Sequence, residues 1–142
     1  MSMQEIIWND DFKTGIEIVD HQHCALITMY NEFLAQFNED GDCRASLDKA
    51  LDGLFDYVQT HFQTEEQLMK SSHYKDFEKH LEEHEHLTKH VYALYQKKSG
   101  GIDYLGFISF IFNWLQHHIL KTDKKFGLYY LENVRSRVAD RA

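Results

Sequence analysis

Four stretches of this chain carry apolar side chains at helical spacing, separated by only a few polar residues. From Ile16 to Phe37 the apolar positions are Ile16, Val19, Leu26, Ile27, Tyr30, Phe33, Leu34 and Phe37, which is the period of a helix and not of a strand. The polar run Asn38-Glu39-Asp40-Gly41-Asp42 ends that stretch. The same period returns through Leu47, Leu51, Leu54, Tyr57, Val58, Leu68 and Met69, and again through Phe77, Leu81, Leu87, Val91, Leu94 and Tyr95 until Ser99-Gly100-Gly101. A fourth stretch runs through Phe107, Ile111, Trp114, Leu115 and Ile119. Long helices joined by short connections pack antiparallel to their neighbours. The expectation is therefore an all-α, up-down-up-down antiparallel four-helix bundle, with helices over 16–37, 44–70, 74–98 and 103–121. An N-terminal arm (1–15) lies across it, and a short C-terminal helix (124–137) closes it.

With 142 residues, 43% apolar and 14% aromatic, the chain fits one domain, 1–142, with a sizeable core. A formal net charge of -8 excludes nucleic acid as a partner, because phosphate recognition needs a Lys/Arg footprint. No apolar run reaches the roughly 18 to 20 residues of a bilayer span, so no membrane insertion is expected. Met1 to Asp10 also lacks the basic-then-apolar order of a signal peptide, which makes the cytoplasm the expected compartment. Cys24 and Cys43 form no CxxC pair and are expected to be free thiols.

The composition holds one anomaly, ten histidines in a chain without proline. Proline is absent from helix interiors in any case. The histidines divide by helical face. His23 falls on the apolar arc with Ile16, Val19, Ile27 and Tyr30, whereas His21 faces away. His61 and Glu65, four residues apart, share the arc of Leu54, Val58 and Leu68, with Glu66 turned outward. His80 and His84 lie with Phe77, Leu87 and Val91, while His86 and His90 join the polar face. His118 sits among Phe107, Ile111, Trp114 and Leu115, with His117 on the flank. A lone histidine on an apolar face is more often a hydrogen-bonded core residue than a ligand, and a lone buried glutamate is costly. Five inward histidines and an inward glutamate, contributed by four helices, cannot all satisfy one another. A metal site accounts for them together.

The motifs here resemble those of the hemerythrin family. They are Asp20-His21-Gln22-His23 (DxQH), His61-Phe62-Gln63-Thr64-Glu65 within HFQTEEQLM (HFxxEExLM), His80 with His84 (HxxxH), and Trp114-Leu115-Gln116-His117-His118-Ile119 leading to Asp123 (WLxxHIxxxD). The resemblance spans about residues 8 to 130, and its visible departure is Lys75, where the family carries proline after tyrosine. It implies two iron ions with a bridging oxo or hydroxo group. His80, His84 and His118 would hold one iron and His23 and His61 the other, with Glu65 and Asp123 bridging both. One position is then left open for dioxygen, beneath Leu26, Phe62, Trp114 and Leu115. Carboxylate-rich di-iron enzymes of the ferritin type use two Glu-x-x-His motifs. The lone Glu83-to-His86 pair here lies on the polar face and does not supply that pattern, so reversible O2 binding is expected and enzymatic turnover is not. Three readings stay open from the residues alone: a carrier or store feeding an oxygen-consuming enzyme, a sensor whose redox state a signalling partner or output domain reads, and an enzyme acting on nitric oxide or peroxide.

His118 and Asp123 pose a geometric problem, because five residues of ideal α-helix turn their side chains about 140 degrees apart. Both must reach one site, which predicts a π-type turn or a helix end between Leu120 and Asp123.

Overall fold

A computed structural model of the chain describes residues 5–40, 44–97 and 104–141. The helices are α1 (Glu17–Asp40), α2 (Arg44–Ser71), α3 (Phe77–Gln96), α4 (Tyr104–Trp114) and α5 (Lys124–Arg141), with a π-helix over Leu115–Asp123 joining the last two. They form the expected all-α antiparallel bundle, with no strand among the described residues. Among the described residues, no helix is long and apolar enough to cross a membrane. Of the run 38–42 expected to stop the first helix, residues 38–40 are helical, while Gly41-Asp42, Cys43 and Ser99-Gly100-Gly101 lie outside the described residues; Cys24 is a free thiol.

Several helix ends differ from the sequence reading. Helices α1 and α5 run on to Asp40 and Arg141, past the expected ends at 37 and 137, and α3 stops at Gln96. Two further differences bear on the site. The third helix starts at Phe77 and not at residue 74, because a turn intervenes. Tyr74 N–H donates to the Met69 carbonyl and His73 N–H to that of Lys70, with His73 at φ 55. This is the hydrogen-bond pattern of a Schellman motif, in which glycine is the usual left-handed residue and a C-terminal apolar contact is common. Tyr74 and Met69 supply that contact, packing in one apolar cluster. The second difference is that the expected break near residue 122 is absent. The π-helix begins at Leu115, five residues earlier than anticipated, and passes directly into α5.

The arm is tied at several points. Asn31 on α1 accepts from Ile6 N–H and donates back to the Ile6 carbonyl (2.8 and 2.7 Å). Trp8 stacks on the buried Phe12. Asp20 accepts from Thr14 N–H, Thr14 Oγ1 and Gly15 N–H at 2.7, 2.7 and 3.1 Å, which fixes the entry into α1. Gly15 lies at φ 90, where a side chain would be strained. At Gly127 a Cβ would come within 2.4 Å of the Thr14 carbonyl oxygen, so glycine permits α5 to approach the arm.

The interior is two apolar clusters and not one. The larger contains Leu26, Leu34, Leu54, Val58, Phe62, Val91, Phe107, Ile111, Leu115 and Ile119, and the smaller Ile16, Val19, Met69, Tyr74 and Phe126. Along each helix the change from one cluster to the other falls at the same kind of residue: His23 lies between Val19 and Leu26, Glu65 between Phe62 and Met69, and Asp123 between Ile119 and Phe126. A polar layer divides the core.

Candidate metal centre

Regular helix geometry supplies most of that layer. His61 and Glu65 on α2, and His80 and His84 on α3, are one turn apart and share a face. The π-helix brings His118 and Asp123 onto one face, since it aligns residues five apart. All seven expected ligand positions, His23, His61, Glu65, His80, His84, His118 and Asp123, are buried at 3% exposure or less. Two groups emerge, Glu65-His80-His84-His118-Asp123 and His23-His61-Glu65-Asp123, in each of which one donor atom per residue lies within 4.8 Å of the others. Glu65 and Asp123 belong to both.

Distances within the layer are short, yet several do not make hydrogen bonds. His80 Nε2 comes within 3.0 Å of Asp123 Oδ1 and 3.3 Å of Glu65 Oε2, and His118 Nε2 within 3.1 Å of Asp123 Oδ1. His80 Nε2, His84 Nε2, His118 Nε2, Asp123 Oδ1 and both Glu65 oxygens nonetheless have no hydrogen-bond partner. On the other side His23 Nε2 approaches His61 Nε2 at 3.1 Å and Asp123 Oδ2 at 2.8 Å, and His61 Nε2 lies 2.5 Å from Glu65 Oε1. Buried polar groups are ordinarily paired, and so many unpaired ones, facing inward in one layer, fit the donor set of a cation.

Protonation follows from the same geometry. Burial lowers an imidazole's pKa, but Glu65 and Asp123 outweigh it at His61 and His80, raising both to about 9. At His118 the same contest, with Glu83 assisting, ends at about 10. His84 goes the other way, driven far down by burial and by the neighbouring His118 and His80. Burial opposes ionisation of Asp123, yet His118, His23 and His61 hold it well below the usual carboxylate range. Without a cation, protons take its place between the carboxylates.

The chain matches the model of the hemerythrin HHE cation binding domain over residues 14–128. It belongs to the hemerythrin family. The bacteriohemerythrin of Methylococcus capsulatus (strain Bath) is 34% identical over 119 residues, covering 82% of this chain and 89% of the relative. That of Pseudomonas paraeruginosa (strain PA7) is 29% identical over 142 residues, covering 97% and 87%. A crystal structure of wild-type hemerythrin superposes with a TM-score of 0.79 at 30% identity, covering 89% of this chain and 98% of that one. A leucine-to-phenylalanine variant of a hemerythrin superposes with the same score. The buried histidine and carboxylate cluster within this family fold makes the chain a hemerythrin-type iron protein.

The hemerythrin motifs include Gln22 and Glu66 without revealing that these orient imidazoles, and they do not include Glu83. His61 Nδ1–H donates to Gln22 Oε1 at 2.7 Å, His84 Nδ1–H to Glu66 Oε2 at 3.2 Å, and His118 Nδ1–H to Glu83 Oε1 at 2.7 Å. Thr122 Oγ1 donates to the same Glu83 carboxylate at 3.0 Å. Glu66 and Glu83, read from single helices as outward, thus serve histidines of a neighbouring helix. The signal was available only across helices. The exposed faces of His86, His90 and His117 agree with the helical register.

Leu26, Phe62, Trp114 and Leu115 are all buried, as expected of a pocket lining. Their contacts are divided. Phe62 stacks flat on His84 (centroids 3.8 Å, 4°), and Trp114 stands edge-on to His118. The ring against His61 belongs to Tyr57, stacked at 4.9 Å and 13°. Burial, with the charges of Asp123 and Glu65, pushes its phenol well above the usual range. In the sequence Tyr57 registers only as one more apolar position.

Proposed function

We propose that this hemerythrin binds dioxygen reversibly at a pair of iron ions, as a carrier or store and not as an enzyme. His80, His84 and His118 would hold one ion, His23 and His61 the other, with Glu65, Asp123 and an oxo or hydroxo group bridging. The observation that carries the reading is the pair of donor groups of unequal size sharing two carboxylates. The smaller group is one imidazole short, so a coordination position is available for a small exogenous ligand. When bound, a ferrous pair supplies the two electrons that dioxygen borrows while held and returns on leaving.

The protein's own part is to orient and to exclude. Accepting from His61 Nδ1, Gln22 turns the opposite nitrogen toward the centre, and Glu66 and Glu83 do the same for His84 and His118. Leu26 and Leu115, each 1% exposed, keep water from the layer above the centre. Solvent exclusion matters because a held ligand that gains protons leaves in reduced form, and the electrons are not returned. Five imidazoles with only two carboxylates neutralise the ions less than a carboxylate-rich site does, which supports binding over oxidative turnover.

The test is optical. Dioxygen added to the reduced, iron-loaded protein should produce a charge-transfer band that disappears when the gas is removed and returns on readdition. Absence of the band with two irons per chain retained would overturn the dioxygen reading.

A further inference from the structure

The layer of Leu26 and Leu115, next to the metal centre, holds two hydrogen-bond donors, one against an imidazole of each side. The Tyr57 hydroxyl and Trp114 Nε1 are both buried, and neither has a partner. Tyr57 stacks on His61, Trp114 meets His118 edge-on at 6.2 Å, and the two aromatic rings lie 6.1 Å apart. Each precedes its imidazole by four residues, which on α2 is one turn or about 6 Å along the axis. Because α2 and α4 run antiparallel to α1, that level is also the level of Leu26, three residues after His23. Tyr57 and Trp114 therefore share the pocket layer with Leu26 and Leu115.

Buried donors are rarely left without acceptors, and each such group costs stability in the free protein. Two of them, on facing helices beside one centre, indicate an acceptor that arrives from outside. We infer that Tyr57 and Trp114 form a donor pair that grips a small electron-rich ligand at the open position, dioxygen or a compact anion such as azide. The inference rests on the dioxygen reading of the centre and adds what in the pocket distinguishes one ligand from another. Apolar walls such as Leu26 and Leu115 select by size. An O–H and an N–H select by acceptor strength, favouring ligands that carry negative charge while held. Tyr57 is then the specificity-determining residue, since its hydroxyl can rotate toward the acceptor whereas the indole N–H is fixed in the ring plane.

Azide titration of the oxidised, iron-loaded protein, followed by visible absorption, tests this in Tyr57→Phe and Trp114→Phe. Phenylalanine at position 57 keeps the stack on His61 and removes only the oxygen. The expected result is azide binding weakened about tenfold in Tyr57→Phe, the size expected for a lost hydrogen bond to a charged acceptor. Trp114→Phe should weaken it less, with both irons retained in each. In metal-free protein Tyr57→Phe should melt no lower than wild type, because an unpartnered hydroxyl has been removed. Azide affinity within twofold of wild type in both variants would overturn the donor pair, as would a wild type that binds no azide. A Tyr57→Phe protein that melts lower without metal would do the same, since it would show a structural hydrogen bond. If the azide deficit appears while wild type shows no reversible dioxygen band, the donor pair stands and the dioxygen reading falls.

Discussion

The two sides of the metal layer are alike in their inner atoms and unlike one step further out. On the three-imidazole side, His118 and His84 each donate to a carboxylate, Glu83 and Glu66. On the two-imidazole side, His61 donates to the neutral amide of Gln22; each side also has one imidazole, His80 or His23, whose Nδ1 has no partner. A carboxylate behind an imidazole raises its basicity and fixes its orientation. The larger group is therefore also the more strongly donating one. The smaller group, with fewer and weaker donors, would leave a cation held there more electron-poor and open to an added ligand. Asymmetry of this kind separates two jobs, anchoring and exchange, within one layer.

Breaking both sides at once should give the largest effect. Asp123 is shared by the two groups, so Asp123→Ala should abolish binding of both ions, read as iron per chain after reconstitution. Retention of one iron would mean that Asp123 serves a single side. The next effect is a contrast. Glu83→Ala removes a charge-assisted acceptor and should lower iron affinity toward the upper end of the roughly 10- to 100-fold range typical of such outer partners. Gln22→Ala, losing a neutral acceptor, should fall at the lower end. Chelator competition measures both, and equal losses would erase the distinction between the sides.

A smaller effect follows from protonation. In the metal-free protein His61 and His80 stand at about 9 and His118 at about 10, above the 6.5 of an unfolded imidazole. Their contribution to stability is fully present below pH 6.5 and is lost as pH rises through 9 to 10. His84 is depressed, so its contribution is lost as pH falls below 6.5. The melting temperature of metal-free protein should thus be highest near pH 6.5 and decline toward pH 10. Iron-loaded protein, whose imidazoles are held neutral by the ions, should show a much flatter profile over that range. Parallel profiles would mean that protons do not take the cation's place.

How far these features could be read in the sequence depends on how local they are. The four helices and six of the seven inward polar positions are periodic properties of single segments, and a helical wheel finds them. Asp123 came only from the family motif, because an ideal wheel turns it away from His118. The irregular turn near Asp123 was also legible, because five-residue spacing conflicts with α-geometry, although its start at Leu115 was not. Glu66 and Glu83 were misplaced for a physical reason: a wheel shows which way a residue leaves its own helix, not what a neighbouring helix reaches out to meet. The start of α3 was missed because His73 occupies a left-handed position that usually advertises itself as glycine. Tyr57 escaped because its ring obeys the apolar pattern while its hydroxyl does not.

Between Leu115 and Asp123 the chain spends one residue more per turn than an α-helix would. Spacing there acts as a constraint independent of residue identity. Deleting any one residue between His118 and Asp123, even an exposed one such as Lys121, would let the helix relax to ordinary winding. Asp123 would then sit four residues from His118 while everything beyond it, Phe126 and Gly127 included, kept its new phase with Asp123. The C-terminal helix must meet the arm at Gly127, and the carboxylate must meet both cation positions. Winding and spacing are therefore tied together in this segment, so an alignment gap here would be more informative than most substitutions.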